Sequence, residues 1–149
     1  MTEVSFYHLE RQSLDQVLPK LMERVIGSGL RAVVLAGSPE RVERLNSLLW
    51  TYDDTSFLPH GAKSDGNAAE HPIYLTTEEE NPNGATVLAV VDGIEPGNVG
   101  QFDRCLDIFN GNDEGDVADA RERWKKYKAG GHEVVYWQQT PQGKWEKKG

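Results

Sequence analysis

Cysteine is almost absent from this sequence, in which Cys105 is the single one among 149 residues. One thiol cannot form an internal disulfide or the cysteine pairs that bind zinc, which fits a reducing compartment. Long hydrophobic runs are also missing, since no stretch approaches the roughly 18 apolar residues of a membrane span. The first ten residues lack the basic start and apolar run of a secretory signal. These absences predict a soluble, cytoplasmic protein that does not associate with a membrane.

The length suits one domain, because 149 residues can bury one sizeable core and are too few for two ordinary ones. We therefore treat residues 1–149 as one domain that ends in a short basic tail over residues 140–149. The sequence contains no internal repeat and no low-complexity segment.

Positive charge is in deficit, with 16 basic against 24 acidic residues and a net charge of −8. Such a surface repels phosphates, which argues against broad binding to nucleic acid. The exception is local, because residues 121–128, RERWKKYK, carry five cations and one acid. A basic patch on an acidic body favours a small acidic partner, so we expect contact with nucleic acid only indirectly.

Hydrophobic periodicity predicts alternating strands and helices. Strands are predicted over residues 4–8, 31–36, 72–77, 86–91 and 133–139. Helices are predicted to begin at Ser13, at Ser38 and at Asp116, with a shorter helix over residues 102–109. This order is typical of a Rossmann-like α/β fold with three layers, in which helices cover both faces of a mainly parallel sheet.

Two of the helix starts carry explicit signals. Ser13 opens a capping box, and Ser38 with Pro39 supplies a cap and a proline for the first helical position. Pro19 is expected to kink the first helix or to move its start later, because proline removes a backbone donor. Residues 51–71 are predicted to be a polar loop.

Phosphate-binding loops are missing from the places where this fold would carry them. The first strand runs into residues 9–12 without a glycine. The second strand runs into residues 37–40, which lack the glycine spacing and the lysine of a P-loop. We therefore expect no nucleotide-binding loop and no cofactor.

A metal site is one interpretation of the acids that follow the strands. Asp53, Asp54 and His60 share the middle loop, and Asp92 follows a predicted strand. Scattered acids in a protein of this charge usually face solvent, so we predict no metal. A small nucleotide- or metal-dependent enzyme is the alternative function that the fold class leaves open.

The remaining reactive side chains show no catalytic spacing. His8, His71 and His132 have no partners at the spacing of a metal site or a catalytic triad. Cys105 lies among apolar residues of the short helix predicted over residues 102–109. We expect a buried, structural cysteine there and no catalytic residue among these four.

The helix predicted from Asp116 carries an apolar stripe. Its members recur at spacings of three and four residues: Val117, Ala120, Trp124 and Tyr127. At about 100° per residue, Arg121, Lys125 and Lys128 lie together on the flank of that stripe. Such a flank suits a ligand with an apolar end and a nearby carboxylate, because arginine binds carboxylates bidentately. The other interpretation is a basic helix end that complements the macrodipole.

A second segment places two large aromatic side chains on either side of a short loop. Trp50 follows the predicted second helix, and Phe57 lies seven residues later. These side chains either anchor the loop in the core or line a pocket, and the pattern favours neither interpretation.

Three motifs, taken in their order and spacing, resemble the chi subunit family of bacterial DNA polymerase III. They are Leu49-Trp50, Ser56-Phe57-Leu58-Pro59-His60 and Ala120-Arg121-Glu122-Arg123-Trp124-Lys125. The start of the chain, Val4-Ser5-Phe6-Tyr7, and the element order are similar as well. The resemblance implies a Rossmann-like fold without a nucleotide and a non-catalytic adaptor of the polymerase holoenzyme.

The resemblance also implies two partners. Members of the family dock on the clamp loader through a psi subunit or another clamp-loader component. They also grip the acidic C-terminal tail of single-stranded-DNA-binding protein, which ends in phenylalanine. By position, Arg121 would hold the terminal carboxylate with help from Lys125, and Trp124, Trp50 and Phe57 would line the pocket for the terminal ring.

One departure from the family pattern concerns the charge of this site. The family places another basic residue one helical turn before the arginine, where this sequence has Val117. The electrostatic grip is therefore either weaker or supplemented by Lys128. A direct single-strand binder that stacks bases on its aromatic side chains is a third interpretation, and the acidic net charge argues against it.

Overall fold

The computed structural model describes residues 2–10, 12–52, 60–62, 66, 68–140, 142 and 144–148. Within them the chain forms three α-helices: α1 (Leu14–Gly27), α2 (Pro39–Thr51) and α3 (Glu114–Ala129). The strands are β1 (Glu3–Leu9), β2 (Ala32–Leu35), β3 (His60–Ala62), β4 (Ile73–Thr76), β5 (Val87–Val90), β6 (Arg104–Asn110), β7 (Glu133–Gln139) and β8 (Trp145–Lys147). No helix in these ranges is long and apolar enough to cross a membrane.

The strands form one sheet in the order β3-β4-β2-β5-β6-β1-β7-β8. Neighbouring strands pair in parallel, except that β8 pairs antiparallel with β7. Helices α1 and α2 pack on one face and α3 on the other. The predicted three-layer, Rossmann-like α/β fold is confirmed.

Residues along β2 show how the two layers of core are separated. Val34 packs with α1 and α2, whereas Val33 and Leu35 pack with α3 on the opposite face. All three are buried, because successive side chains of a strand point to opposite faces and both faces carry helices. This explains why β2 is apolar without alternation in the sequence.

The helices begin where side chains satisfy their first backbone N–H groups. The Ser13 backbone N–H donates to Gln16 Oε1 at 2.9 Å, and Ser38 Oγ accepts from the Arg41 N–H at 3.2 Å. Asp113 caps α3 through the Asp116 N–H at 3.0 Å, so this helix begins two residues before the predicted start. Pro19 lies buried inside α1, and α1 begins beside Ser13 as its capping box predicts, so the start is not moved later.

The helix predicted over residues 102–109 is wrong, because β6 occupies this part of the chain. β6 lies between β5 and β1, and its interior residues are buried on both faces of the sheet. A strand buried in this way loses the alternation that identifies strands in a sequence. Cys105 is buried in this strand, as predicted, although it does not lie in a helix.

Two short edge strands were not predicted. β3 lies within the predicted polar loop, and β8 lies within the predicted basic tail. Each has three residues, which is too short for a period of two to stand out from a loop.

Candidate functional site

An apolar cavity of about 180 Å³ opens between α3 and the sheet. We call it the α3 pocket. It is lined by Phe6 of β1, Phe109 of β6, Tyr136 of β7, and Val117, Ala120, Arg121 and Trp124 of α3. Its aromatic walls are in mutual contact, with ring centroids 5.7 Å apart for Phe6 and Trp124 and 5.9 Å apart for Trp124 and Tyr136.

The α3 pocket forms where the apolar stripe of α3 packs against aromatic side chains on one face of the sheet. On α3, the predicted stripe packs against the sheet and buries Ala120 and Tyr127. On the sheet, Phe6 and Tyr136 occupy paired positions of neighbouring parallel strands and point to the α3 side. The small side chain of Ala120 lies between larger aromatic ones and leaves room for the cavity.

Arg121 provides a cation at the rim of the α3 pocket. Its side chain is exposed, and it forms no ion pair or hydrogen bond with any residue that the structure describes. Lys125 and Lys128 follow Arg121 by four and seven residues, so the three cations lie on the same side of the helix. Lys125 is 3.5 Å from Glu122, at the limit of a hydrogen bond, and Lys128 has no ion pair among the described residues.

Tyr136 faces Arg121 across the α3 pocket. Burial raises the pKa of the Tyr136 hydroxyl, and the positive charge of Arg121 acts in the opposite direction. The hydroxyl is hydrogen-bonded to Nδ1 of His8, which lies behind it on β1. A polar group therefore stands in the apolar wall, close to the arginine.

One cation of the basic run does not lie on the surface. Arg123 is buried beneath α3, where Nε and Nη2 donate to the two carboxylate oxygens of Asp107 at 2.7 and 2.9 Å. Lys126 lies on the outer side of the helix and pairs with Glu95 at 3.1 Å. Of the five cations, only Arg121, Lys125 and Lys128 remain beside the pocket.

Trp50 and Phe57 are not brought into this pocket by the described residues. Trp50 lies on α2, which packs on the opposite face of the sheet from α3. Its indole is 55% exposed and its ring centroid lies 4.7 Å from that of His60. Phe57 lies outside the described residues, as do Asp53 and Asp54. Helical spacing identifies the buried side of a helix but not the face of the sheet that this helix covers.

Three residues that form the sheet side of the α3 pocket were not predicted as site residues: Phe6, Phe109 and Tyr136. Alternation in β1 and β7 assigns Phe6 and Tyr136 to one face of their strands. That signal does not say which helix covers the face. Phe109 was hidden by the incorrect helix over residues 102–109.

A second crevice, of about 540 Å³, lies at the carboxyl ends of the strands, where Rossmann-like proteins bind nucleotides. The two cations that line this crevice form ion pairs, Arg123 with Asp107 and Arg41 with Asp92 at 3.0 Å. Asp92 also accepts from the Gly37 N–H at 3.0 Å, and further carboxylates line the crevice. This arrangement offers a phosphate no unpaired cation among the described residues.

Metal ligands do not cluster in the described part of the chain, where no group of three histidine, cysteine or acidic side chains converges. The structure describes two of the metal candidates: His60, whose Nε2 lies 3.1 Å from the Asn46 carbonyl oxygen, and Asp92, which is bound to Arg41. Burial raises the pKa of the Cys105 thiol far above its usual range. This cysteine is therefore not a thiolate at neutral pH.

The fold and the site define an α/β protein with an apolar, arginine-rimmed surface pocket, which suits an apolar group beside an anion. The chain matches the family model described as DNA polymerase III chi subunit, HolC, over residues 1–135, and it belongs to that family. It is 33% identical over 109 residues to a protein of Rickettsia prowazekii (strain Madrid E) named "Probable DNA polymerase III subunit chi". The aligned region covers 73% of this chain and 66% of that relative's length, slightly less than two thirds.

Proposed function

We propose that this protein is a non-catalytic adaptor of the bacterial replicative DNA polymerase III holoenzyme. It binds the acidic C-terminal tail of single-stranded-DNA-binding protein in the α3 pocket and connects that protein to the clamp loader. In this role it works in the cytoplasm and contacts nucleic acid only through its partner.

The observation that carries the proposal is the combination of an apolar cavity and Arg121 at its rim. A cavity of about 150 Å³ lined by apolar side chains can hold benzene, so a pocket of about 180 Å³ has room for a phenylalanine ring. The guanidinium of Arg121 can bind a carboxylate through two parallel hydrogen bonds. A chain that ends in phenylalanine presents its ring and its terminal carboxylate together.

Lys125 and Lys128 extend the positive surface away from the pocket. Acidic residues that precede the terminal phenylalanine would lie along this side of α3. The three cations are exposed, so their attraction for the peptide is screened by salt. A tail of this size in such a pocket typically binds at micromolar strength, about −8 kcal/mol.

The lining of the α3 pocket supports binding and not catalysis. It combines apolar and aromatic side chains with one arginine and one tyrosine. A serine, threonine or cysteine nucleophile is not among these lining residues.

We propose that the α2 face is the clamp-loader side of the adaptor. Trp50 is the large hydrophobic residue that the described part of the chain exposes to solvent. Tryptophan is enriched among the residues that dominate protein interfaces. A psi subunit or another clamp-loader component that packs on Trp50 would leave the α3 pocket on the opposite face open for the tail.

Peptide titration tests the proposal directly. A rhodamine-labelled acidic peptide that ends in phenylalanine should bind at micromolar strength, and a C-terminally amidated copy should bind at least tenfold more weakly. Arg121→Ala should cost about 1.5 to 3 kcal/mol, the range for losing a charged hydrogen-bond partner. Lys126→Ala is the matched control, because it removes one cation from the outer side of the same helix.

The outcomes separate the possible roles of this pocket. Equal binding of the free and the amidated peptide would remove the carboxylate from the recognition. Equal losses in the Arg121 and Lys126 variants would indicate attraction by net charge without a defined site. No binding by either peptide would refute the proposed function.

A further inference from the structure

Tyr136 connects the α3 pocket to an ionisable side chain behind its wall. Its ring lines the pocket, and its hydroxyl is hydrogen-bonded to His8 Nδ1. On the far side of the imidazole, Glu10 Oε1 lies 2.9 Å from His8 Nε2. Glu10 Oε1 also accepts from Gln138 Nε2 at 2.9 Å.

The imidazole of His8 is held closely in place. Phe109 packs edge-on against it with ring centroids 5.1 Å apart. A Cβ on Gly111 would clash with His8 Cδ2, so the ring occupies space that only glycine leaves at this position. Packing therefore fixes the position of the imidazole between Tyr136 and Glu10.

The proton on the Tyr136 hydroxyl points in opposite directions in the two charge states of His8. In the neutral imidazole, the nearby Glu10 carboxylate favours a proton on Nε2, so Nδ1 accepts the hydroxyl proton of Tyr136. The oxygen then presents lone pairs to the pocket. In the imidazolium, Nδ1 carries a proton and donates a hydrogen bond to the Tyr136 oxygen. The hydroxyl proton of Tyr136 is then able to point into the pocket beside Arg121.

We propose that Tyr136 is a second carboxylate-binding residue of the α3 pocket and that His8 is its positioning residue. The inference rests on the proposed function and names a further determinant of the same site. Protonation of His8 converts Tyr136 from a group that repels a carboxylate into a donor to it. Binding of a carboxylate-terminated peptide therefore tightens as the pH falls through the range in which histidine titrates.

The charged groups near His8 lie on two parts of the chain. Glu10, the residue after β1, places Oε1 2.9 Å from His8 Nε2, and Arg121 lies on α3 in the lining of the pocket that Tyr136 also lines. On β6 and its following turn, the nearest groups are the uncharged Phe109 and Gly111. A bound carboxylate adds a negative charge beside Arg121, so the peptide and the proton favour each other's binding by linkage.

The test compares peptide affinity at about pH 5.5 and about pH 8, on either side of the ordinary histidine range. The label is tetramethylrhodamine, and the acidic side chains of the peptide remain ionised throughout. We expect the wild type to bind the free-carboxyl peptide about three- to tenfold more tightly at the lower pH, which corresponds to the net contribution of one typical hydrogen bond. Tyr136→Phe and His8→Asn should each reduce this ratio to less than about twofold.

Three controls separate the loss of the Tyr136 hydroxyl from a loss of the fold and from a general effect of pH. Tyr136→Phe keeps the ring in the pocket wall, so its fold is preserved even where His8→Asn destabilises the protein. The amidated peptide should show no tightening at low pH. In the wild type, addition of the peptide at about pH 7 should move the His8 Cε1–H resonance towards its imidazolium position, because binding and protonation are linked.

The outcomes distinguish this inference from the proposed function. Binding that depends on Arg121 but shows the same pH ratio in Tyr136→Phe as in the wild type overturns the inference alone. Wild-type binding of equal affinity at the two pH values also overturns the inference alone. No peptide binding at either pH overturns the inference and the proposed function together.

Discussion

Arg123 and Asp107 form a bidentate ion pair inside the protein, with side chains that are only 5% and 2% exposed. Arg123 lies on α3 and Asp107 on β6, the strand that crosses the middle of the sheet. Arg123 Nη1 also reaches the Gly93 carbonyl at 3.4 Å. The pair fixes α3 to the sheet and thereby sets the position of the α3 pocket.

Breaking this pair should destabilise the fold strongly. Asp107→Ala leaves the guanidinium of Arg123 buried without its carboxylate, and loss of one partner of a buried pair typically costs about 3 to 5 kcal/mol. Urea unfolding followed by tryptophan fluorescence measures the free energy of unfolding. Arg121→Ala, which removes an exposed arginine two positions earlier, should change it by less than about 0.5 kcal/mol.

An apolar replacement of both partners gives the complementary test of the buried pair. Asp107→Leu with Arg123→Met removes both charges, so the double variant should recover much of the stability that Asp107→Ala loses. If Asp107→Ala were no less stable than Arg121→Ala, the pair would not be what holds α3 in place.

Local signals in the sequence predicted three of the four elements that surround the α3 pocket, namely β1, α3 and β7, but not β6. The stripe that contains Trp124 was readable because a helix repeats every 3.6 residues, and Arg121 followed from the same geometry. Arg123 has the same charge as Arg121 but lies in the core. Nothing local to residue 123 reveals this, because its partner is 16 residues earlier in an adjoining layer.

The parts that the sequence did not predict depend on contacts between distant residues. Tyr136 and His8 are 128 residues apart and become neighbours only because β1 and β7 pair in parallel. Trp50 was expected beside Trp124, although helices α2 and α3 lie on opposite faces of the sheet. The connections between strands determine which face of the sheet each helix covers, and hydrophobic periodicity contains no information about those connections.

Cys105 should be chemically inert in the native protein. Its side chain is buried in β6, and burial raises the pKa of its thiol, so neither access nor ionisation favours reaction. Iodoacetamide should label it about a thousandfold more slowly in native buffer than in denaturant, because labelling requires unfolding. Ser47→Cys in a Cys105→Ala background is the matched control, because position 47 is exposed on α2 and should react rapidly. Comparable rates for Cys105 in both buffers would contradict its burial.

Nucleotides should not stabilise the protein. The cations of the carboxyl-edge crevice, Arg41 and Arg123, are bound to Asp92 and Asp107 and are not available to phosphates. A ligand at 100 times its dissociation constant adds about 2.7 kcal/mol of stability, which a thermal shift detects readily. ATP, NAD and Mg²⁺ should leave the melting temperature unchanged, whereas the phenylalanine-terminated peptide should raise it. A nucleotide shift that disappears in Arg41→Ala would instead favour a nucleotide-dependent enzyme.

Val117→Lys should strengthen binding of the acidic peptide. Val117 lines the α3 pocket one helical turn before Arg121 and is partly exposed, so a lysine there can extend its ammonium group into solvent beside the other cations. An added exposed charge pair is worth about 0.2 to 1 kcal/mol, which corresponds to an increase in affinity of up to about fivefold.

Val117→Met, which places a long uncharged side chain at the same position, is the control for the change in shape. The gain of the lysine variant over the methionine variant should disappear at about 1 M salt, where the Debye length falls to about 3 Å. A gain that persists at high salt would show that the lysine acts through packing, and no gain at low salt would place the acidic part of the peptide away from this end of α3.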